Sequence, residues 1–158
     1  SPNTPGLRSL QAIDQLEPIL KAVQSRAAGK PVLVKIAPDL ADEDVIAVAK
    51  LATKLGLAGV IATNTTVSRA GLKTAAESVA AMGTGGLSGP VLQERSLSVL
   101  GLLRENLPSS VAIVSVGGVF SAADVQNRLR LGASLVQGYT GFVYEGPLWA
   151  RKINRALF

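Results

Sequence analysis

Four short apolar runs punctuate the chain: 31–36 (PVLVKI), 59–64 (GVIATN), 111–117 (VAIVSVG) and 133–140 (ASLVQGYT). Each is rich in Val, Ile or Leu, nearly continuous in apolarity, and ends in small or polar residues. That pattern predicts strands buried on both faces. Between them the period changes. Over 41–55, Val45, Val48, Ala49, Ala52 and Leu55 recur at helical spacing; Asp42, Glu43 and Asp44 crowd the first turn, and Gly56 stands just past the end. Acids at the start suit the helix dipole, and a glycine after the last turn is a common stop. Ser121-Ala-Ala-Asp124 reads as a variant capping box opening another helix, which Gly132 closes. Further helices are predicted over 10–28, 91–106 and, after Pro147, 148–157.

Strands alternating with helices imply βαβ units and a parallel sheet. Four such units make a small doubly wound sheet or half of an eight-stranded barrel. The doubly wound sheet wants a glycine-rich turn after its first strand. Here the first strand runs into Lys35-Ile-Ala-Pro-Asp39, and the glycines cluster after later strands. The expected fold is therefore a (β/α)8 TIM barrel, of which 158 residues supply about half, as one domain. Barrel sites lie at the carboxyl ends of the strands. Those ends carry Lys35, Thr63-Asn64-Thr65-Thr66, Gly117-Gly118 and Tyr139-Thr140. The long connection from Thr65 to Gly89 is expected to serve as a lid or ligand loop.

Composition narrows the chemistry. Only 4% of residues are aromatic against 47% hydrophobic overall, so aliphatic side chains must fill the core. The net charge of +5 invites an anionic partner, but the 16 Lys and Arg residues are scattered, without the stripe that tracks a nucleic-acid backbone. Cys and His are absent, which excludes disulfides and thiolate chemistry and removes the commonest transition-metal ligands. No metal site is expected. No apolar run approaches the ~20 residues needed to span a bilayer, and no stretch reads as a signal peptide.

Lys35 interrupts an otherwise apolar strand. It either snorkels to solvent or aims a cation at an anionic ligand or electron-rich ring. Thr63 to Thr66 offer hydroxyls and a carboxamide, suited to turn chemistry or to ligand contacts. Gly85-Gly86-Leu87-Ser88-Gly89 and Val116-Gly117-Gly118-Val119 are glycine-rich turns feeding helices, where backbone can approach a phosphate. With Tyr139-Thr140 they form a set that would hold a phosphate dianion. Asp39, Asp42 and Asp44 fit a solvated helix start better than a pair of catalytic acids.

Six segments in order, SPNTPGLRSLQ, VLVKIAPDL, GVIATNTTVSRAGL, TGGLSGPVL, VSVGGVFSAADV and GASLVQGYTGF, span nearly the whole chain. Together they resemble the carboxyl-terminal half of the quinone-dependent class of dihydroorotate dehydrogenases. That resemblance implies an FMN-binding (β/α)8 barrel, here its last four β/α units, and oxidation of dihydroorotate to orotate in pyrimidine biosynthesis. In the family the residue before Pro-Asn is the catalytic base, Cys in the cytosolic class and Ser in the quinone class. Ser1 matches the second. It would take the C5 proton while hydride leaves C6 for the flavin, helped by a water relay or an unusual environment. Asn3, Asn64 and Thr65 match residues that bind the pyrimidine ring and carboxylate. Lys35 matches the lysine beside the flavin ring, and Thr63 a flavin contact. Gly89, Gly118, Tyr139 and Thr140 match the FMN-binding backbone and phosphate cradle.

The family also implies a quinone partner and peripheral contact with the cytoplasmic face of the cell membrane through an amino-terminal segment not in this sequence. On this reading the chain opens inside the catalytic turn after the fourth barrel strand. Alone it is expected to be inactive, and to self-associate or pair with the other half-barrel. Residues 73–83 follow no motif of the family. Two alternatives stand beside this reading: an isolated half-barrel that binds phosphate or flavin without catalysis, and another FMN barrel acting on a pyrimidine-like ring.

Overall fold

In the computed structural model, which describes residues 6–157, the four apolar runs form parallel strands β1 (Leu33–Ile36), β2 (Gly59–Ala62), β3 (Ala112–Val116) and β4 (Leu135–Gln137). Their order in the sheet is β1-β2-β3-β4, with Ile36 beside Ala62, Ala62 beside Ser115, and Val116 beside Gln137. A doubly wound sheet reverses its strand order at a switch point. This one runs in sequence order throughout, as successive strands of a (β/α) barrel do.

Helices α1 (Ile13–Arg26), α2 (Asp42–Leu55), α4 (Gln93–Asn106), α5 (Ala122–Arg130) and α7 (Trp149–Leu157) follow the predicted periodicities. The core joins Val34, Ile36, Val60, Ala62 and Ile113 of the sheet to Val45, Val48 and Ala52 of α2 and Val99, Leu100 and Leu103 of α4. Each large aliphatic side chain so buried contributes about 1.5–3 kcal/mol. Helix α2 ends as its sequence predicts: Gly56 takes a left-handed φ of 63° and its N–H caps carbonyls of the last turn. Ser121 and Asp124 close a complete capping box at the start of α5.

Three expectations need correction. The strands are not all buried on both faces. In β1 burial alternates, Leu33 and Lys35 exposed and Val34 and Ile36 buried, and Leu135 of β4 is 63% exposed. The helices cover one face only, and the other would be the interior of a closed barrel. The run 133–140 yields a strand of three residues, because Thr140 opens a short helix α6 (Thr140–Glu145). Helix 10–28 is likewise divided, a 3-10 turn at Ser9–Gln11 preceding α1, and Val91 lies in a 3-10 turn before α4.

The long connection also contains a helix, α3 (Ala76–Ala81), that no periodicity announced. It buries no residue, so it carries no apolar stripe to be read. An antiparallel bridge between Thr66 and Leu87 staples the base of that connection.

Candidate functional site

The carboxyl ends of all four strands open into one cleft of about 270 Å³. Its lining contains Lys35, Thr63, Asn64, Thr65, Gly89, Gly118, Tyr139 and Thr140. Every residue matched to the family's site within the described region is thus brought to one place, while Thr66, Gly85 and Gly86 are not part of this lining. Ser1 and Asn3 lie outside the described residues.

Local hydrogen bonding explains the arrangement. Just beyond β2, the Thr63 N–H donates to the Val116 carbonyl (2.8 Å) and the Asn64 N–H to the Ile36 carbonyl (2.8 Å). The residue after β2 is therefore held by β3 and the next by β1, which fixes where their side chains leave the backbone. Asn64 Oδ1 accepts from the Thr65 N–H at 2.8 Å. Lys35, paired with Ile61 across the sheet, lies on the face away from the helices and makes no ion pair among the described residues. Thr140 Oγ1 donates to Ser88 Oγ at 3.0 Å, closing the far wall.

Thr63 carries the most telling feature. It is 2% exposed, and its Oγ1 has no hydrogen-bond partner among the described residues. An unpaired buried hydroxyl costs free energy unless a ligand completes it. Thr63→Val is therefore expected to stabilise the ligand-free protein by about 1–2 kcal/mol, while weakening the site's ligand about tenfold. Denaturant unfolding and ligand titration measure the two effects separately.

The glycines are there for space as much as for turning. Gly118 has φ 68°, and a Cβ on it would stand 2.7 Å from the Gln93 Cα. Just beyond this turn, the Asp124 carboxylate accepts from the N–H groups of Phe120 (3.0 Å) and Ser121 (2.9 Å), which precede α5, while the N–H groups of Ala122 and Ala123 in its first turn have no partner among the described residues. Partial burial opposes ionisation of Asp124, but these bonds and the Ser121 hydroxyl outweigh it and hold the carboxyl below its usual range. The Gly118 N–H likewise has no partner among the described residues.

The expectation for Asp39 needs correction. It precedes α2 and organises loops. It accepts from the Thr66 hydroxyl, from the Arg8 guanidinium and from the Val67 N–H (3.3 Å). Arg8 in turn donates to the Thr65 carbonyl at 2.8 Å, and Gln11 Oε1 accepts from the Ala37 N–H at 2.7 Å. The segment 8–11 is thereby tied to the ends of β1 and β2. Asp42 pairs with Arg95 at 2.6 Å, again in a structural role.

Partial burial would raise the Asp39 pKa, yet the bonds from Thr66 and Arg8 bring it below 3.8. A depressed folded-state pKa means stability that is complete above the unfolded value and lost as pH falls through the folded one. Asp39→Asn is therefore expected to destabilise most at neutral pH, the gap to wild type closing as pH falls through and below the usual Asp range. Denaturant unfolding across that range measures it. Glu17, lowered to about 2 by Lys21 and Lys54, titrates nearby in both proteins and cancels in the difference.

The sequence marks Ser88 only as part of a glycine-rich turn, and gives no site role to Gly138 or Arg8, because nothing local shows which loop residue faces a cleft. The middle of the long connection, including Val67, Leu72 and Val79, lines a separate, larger hollow of about 720 Å³, which takes Gly85 of the first glycine-rich turn and none of the residues matched to the family's site. Among the described residues no group of three or more acids, His or Cys could hold a metal, and no helix is long and apolar enough to cross a membrane.

Comparison with known proteins agrees with this geometry. The family model for dihydroorotate dehydrogenase matches residues 1–158. A relative named dihydroorotate dehydrogenase (quinone) from Clavibacter sepedonicus is 64% identical over 157 residues, covering 99% of this chain and 46% of the relative. One of the same name from Leifsonia xyli subsp. xyli is 60% identical with the same coverage. The crystal structure of Eimeria tenella DHODH in complex with ferulenol superposes with a TM-score of 0.88 at 36% identity, over 99% of this chain and 46% of that one. The chain thus spans just under half the length of the curated relatives it matches. On the family match and these relatives alike, the chain belongs to the dihydroorotate dehydrogenase family.

Proposed function

We propose that this chain supplies four β/α units of an FMN-dependent enzyme that oxidises dihydroorotate to orotate with a quinone as electron acceptor. The observation that carries the reading is the partnerless Thr63 hydroxyl in a cleft that gathers eight residues of the family's motifs. The donor set suits FMN: hydroxyls at Thr63 and Thr140, a carboxamide at Asn64, an ammonium at Lys35, and glycine backbone at Gly89 and Gly118 that leaves room for a phosphate. Bound FMN would supply the hydride acceptor that no amino-acid side chain provides.

The remaining roles belong to the chain itself. Asn64 and Thr65, with Asn3, orient the pyrimidine ring and its carboxylate. Lys35 offers a cation to the electron-rich ring. Ser1 accepts the proton from C5 of dihydroorotate. A hydroxyl is a weak base, so this step requires a relay that carries the proton onward. Quinones dissolve in lipid, so the reading includes peripheral contact with the cytoplasmic face of the cell membrane through segments outside this sequence.

The test is direct. The full-length protein should purify with a flavin absorption spectrum and reduce a soluble quinone in step with dihydroorotate, while residues 1–158 alone should not turn over. A flavin-free protein, or one active only on another pyrimidine-like ring, overturns the reading. The uncovered sheet face, with Leu33 and Leu135 exposed, favours a second expectation for residues 1–158 alone. Sizing should find them paired with another copy or with the other half-barrel, and a stable flavin-free monomer would contradict it.

A further inference from the structure

Arg128 is the only ionisable side chain among the described residues that is fully buried, at 1% exposure. It projects from α5 into the layer between helices and sheet, beneath the Gly117–Gly118 turn. Nη1 donates to Ser115 Oγ at 2.6 Å and Nη2 to Ser96 Oγ at 2.9 Å and to the Gly117 carbonyl. Ser96 Oγ reaches the same carbonyl at 2.9 Å. No carboxylate lies within ion-pair distance of it among the described residues. Its nearest acid, Asp124 one turn away, spends its oxygens on Phe120, Ser121 and Gln93. Burial pushes the guanidinium below its ordinary pKa, and Asp124 offsets this only in part. Arginine nonetheless keeps its proton in proteins.

A buried cation is an expensive way to fill space, since an apolar side chain of similar volume is often as good or better. Its buried Nε has no partner among the described residues, and two hydroxyls and a carbonyl accept from its Nη atoms without neutralising its charge. The placement suggests what does. A trans peptide points its carbonyl and the following N–H in opposite directions. With the Gly117 carbonyl held down by Arg128 and Ser96, the Gly118 N–H points away from them, and Gly118 lines the cleft.

We propose that Arg128 is a positioning residue for the phosphate of the bound ligand: it locks the peptide that presents the Gly118 N–H and backs that turn with a positive charge. The proposal rests on the FMN reading and deepens it. It assigns part of the cradle's electrostatics to a side chain that never touches the ligand.

The experiment compares FMN with riboflavin, which lacks only the phosphate, by titrating each into the flavin-depleted full-length protein and following flavin fluorescence. Arg128→Gln keeps a donor for the Gly117 carbonyl but removes the charge, Arg128→Met removes both, and Arg128→Lys keeps both. Thermal unfolding of each ligand-free variant verifies that it is folded. The neutral variants are expected to lose about tenfold in FMN affinity while riboflavin binding changes less than about threefold. Arg128→Lys should hold the wild-type FMN-to-riboflavin ratio within about threefold. Should Arg128→Met fail to fold, Arg128→Gln against Arg128→Lys decides alone. Equal losses for both flavins, or no loss for either, overturn this proposal and leave the FMN reading standing. Wild-type protein that binds neither flavin overturns the FMN reading, and this inference with it.

Discussion

Gly118→Ala is expected to destabilise the protein by about 2–4 kcal/mol and to remove measurable FMN binding. Two costs combine. A side chain at φ 68° sits in the left-handed region, worth roughly 1–2 kcal/mol to an L-residue. The new Cβ would also stand 2.7 Å from the Gln93 Cα and 2.8 Å from its backbone nitrogen. A flexible side chain could yield to it, but the first turn of α4 cannot without moving the helix. Overpacking of that kind adds roughly 1–3 kcal/mol. Any shift that relieves it reorients the peptide presenting the Gly118 N–H, so binding suffers beyond the stability loss. Gly101→Ala is the control. It lies inside α4 with nothing within 4 Å of its would-be Cβ, and should stabilise by about 0.5–1 kcal/mol. Denaturant unfolding of the two variants, with an FMN titration of each, gives the comparison. A Gly118→Ala protein as stable as wild type would mean that the turn and α4 are not in close contact.

Ser1→Ala is expected to lower kcat for dihydroorotate oxidation by about 10²–10⁴-fold, the range that a positioned general base supplies. KM should change by less than about threefold, because ring recognition is assigned to Asn3, Asn64 and Thr65. Bound FMN content should stay the same. The assignment of Ser1 rests on the Ser-Pro-Asn motif. The folded chain adds the anchoring of the segment that follows: Arg8 holds the Thr65 carbonyl and the Asp39 carboxylate, and Gln11 holds the Ala37 N–H. Steady-state kinetics of the full-length variant with a quinone acceptor measures the effect, and Ser1→Cys should recover part of the rate. Wild-type kcat in Ser1→Ala would remove Ser1 from the proton transfer.

Much of the architecture was legible because it is encoded locally. A helix with a buried stripe announces its period, and strand ends are marked by the change from Val and Ile to polar residues. The acids before Val45, the capping pair Ser121 and Asp124, and the stop at Gly56 each act within one turn of chain, so each could be read from its neighbours. The order of strands and helices followed, and with it the expectation that Lys35, Thr63–Thr65, Gly118 and Tyr139–Thr140 share one end of the sheet.

What the sequence could not decide was every feature that depends on a distant partner. Asp39 looked like one of three acids at a helix start, yet its partners are Arg8, Thr66 and Val67, brought to it by strand register. Helix α3 buries nothing and so left no pattern. Arg128 and Arg130 stand two residues apart in the last turn of α5, where either cation suits the helix dipole. Packing sends Arg130 to solvent and Arg128 under the Gly117 carbonyl, beside hydroxyls of β3 and α4. Periodicity reports which faces are apolar, through interactions a few residues long. Which polar group meets which across 20 to 60 residues is set only when the sheet register and the helix layer are in place. The sequence by itself thus determined the elements, their order and the chemistry at the strand ends. The tertiary structure decided that Thr63 has an unpaired hydroxyl in the cleft, and that a buried cation lies beneath the turn where a phosphate would rest.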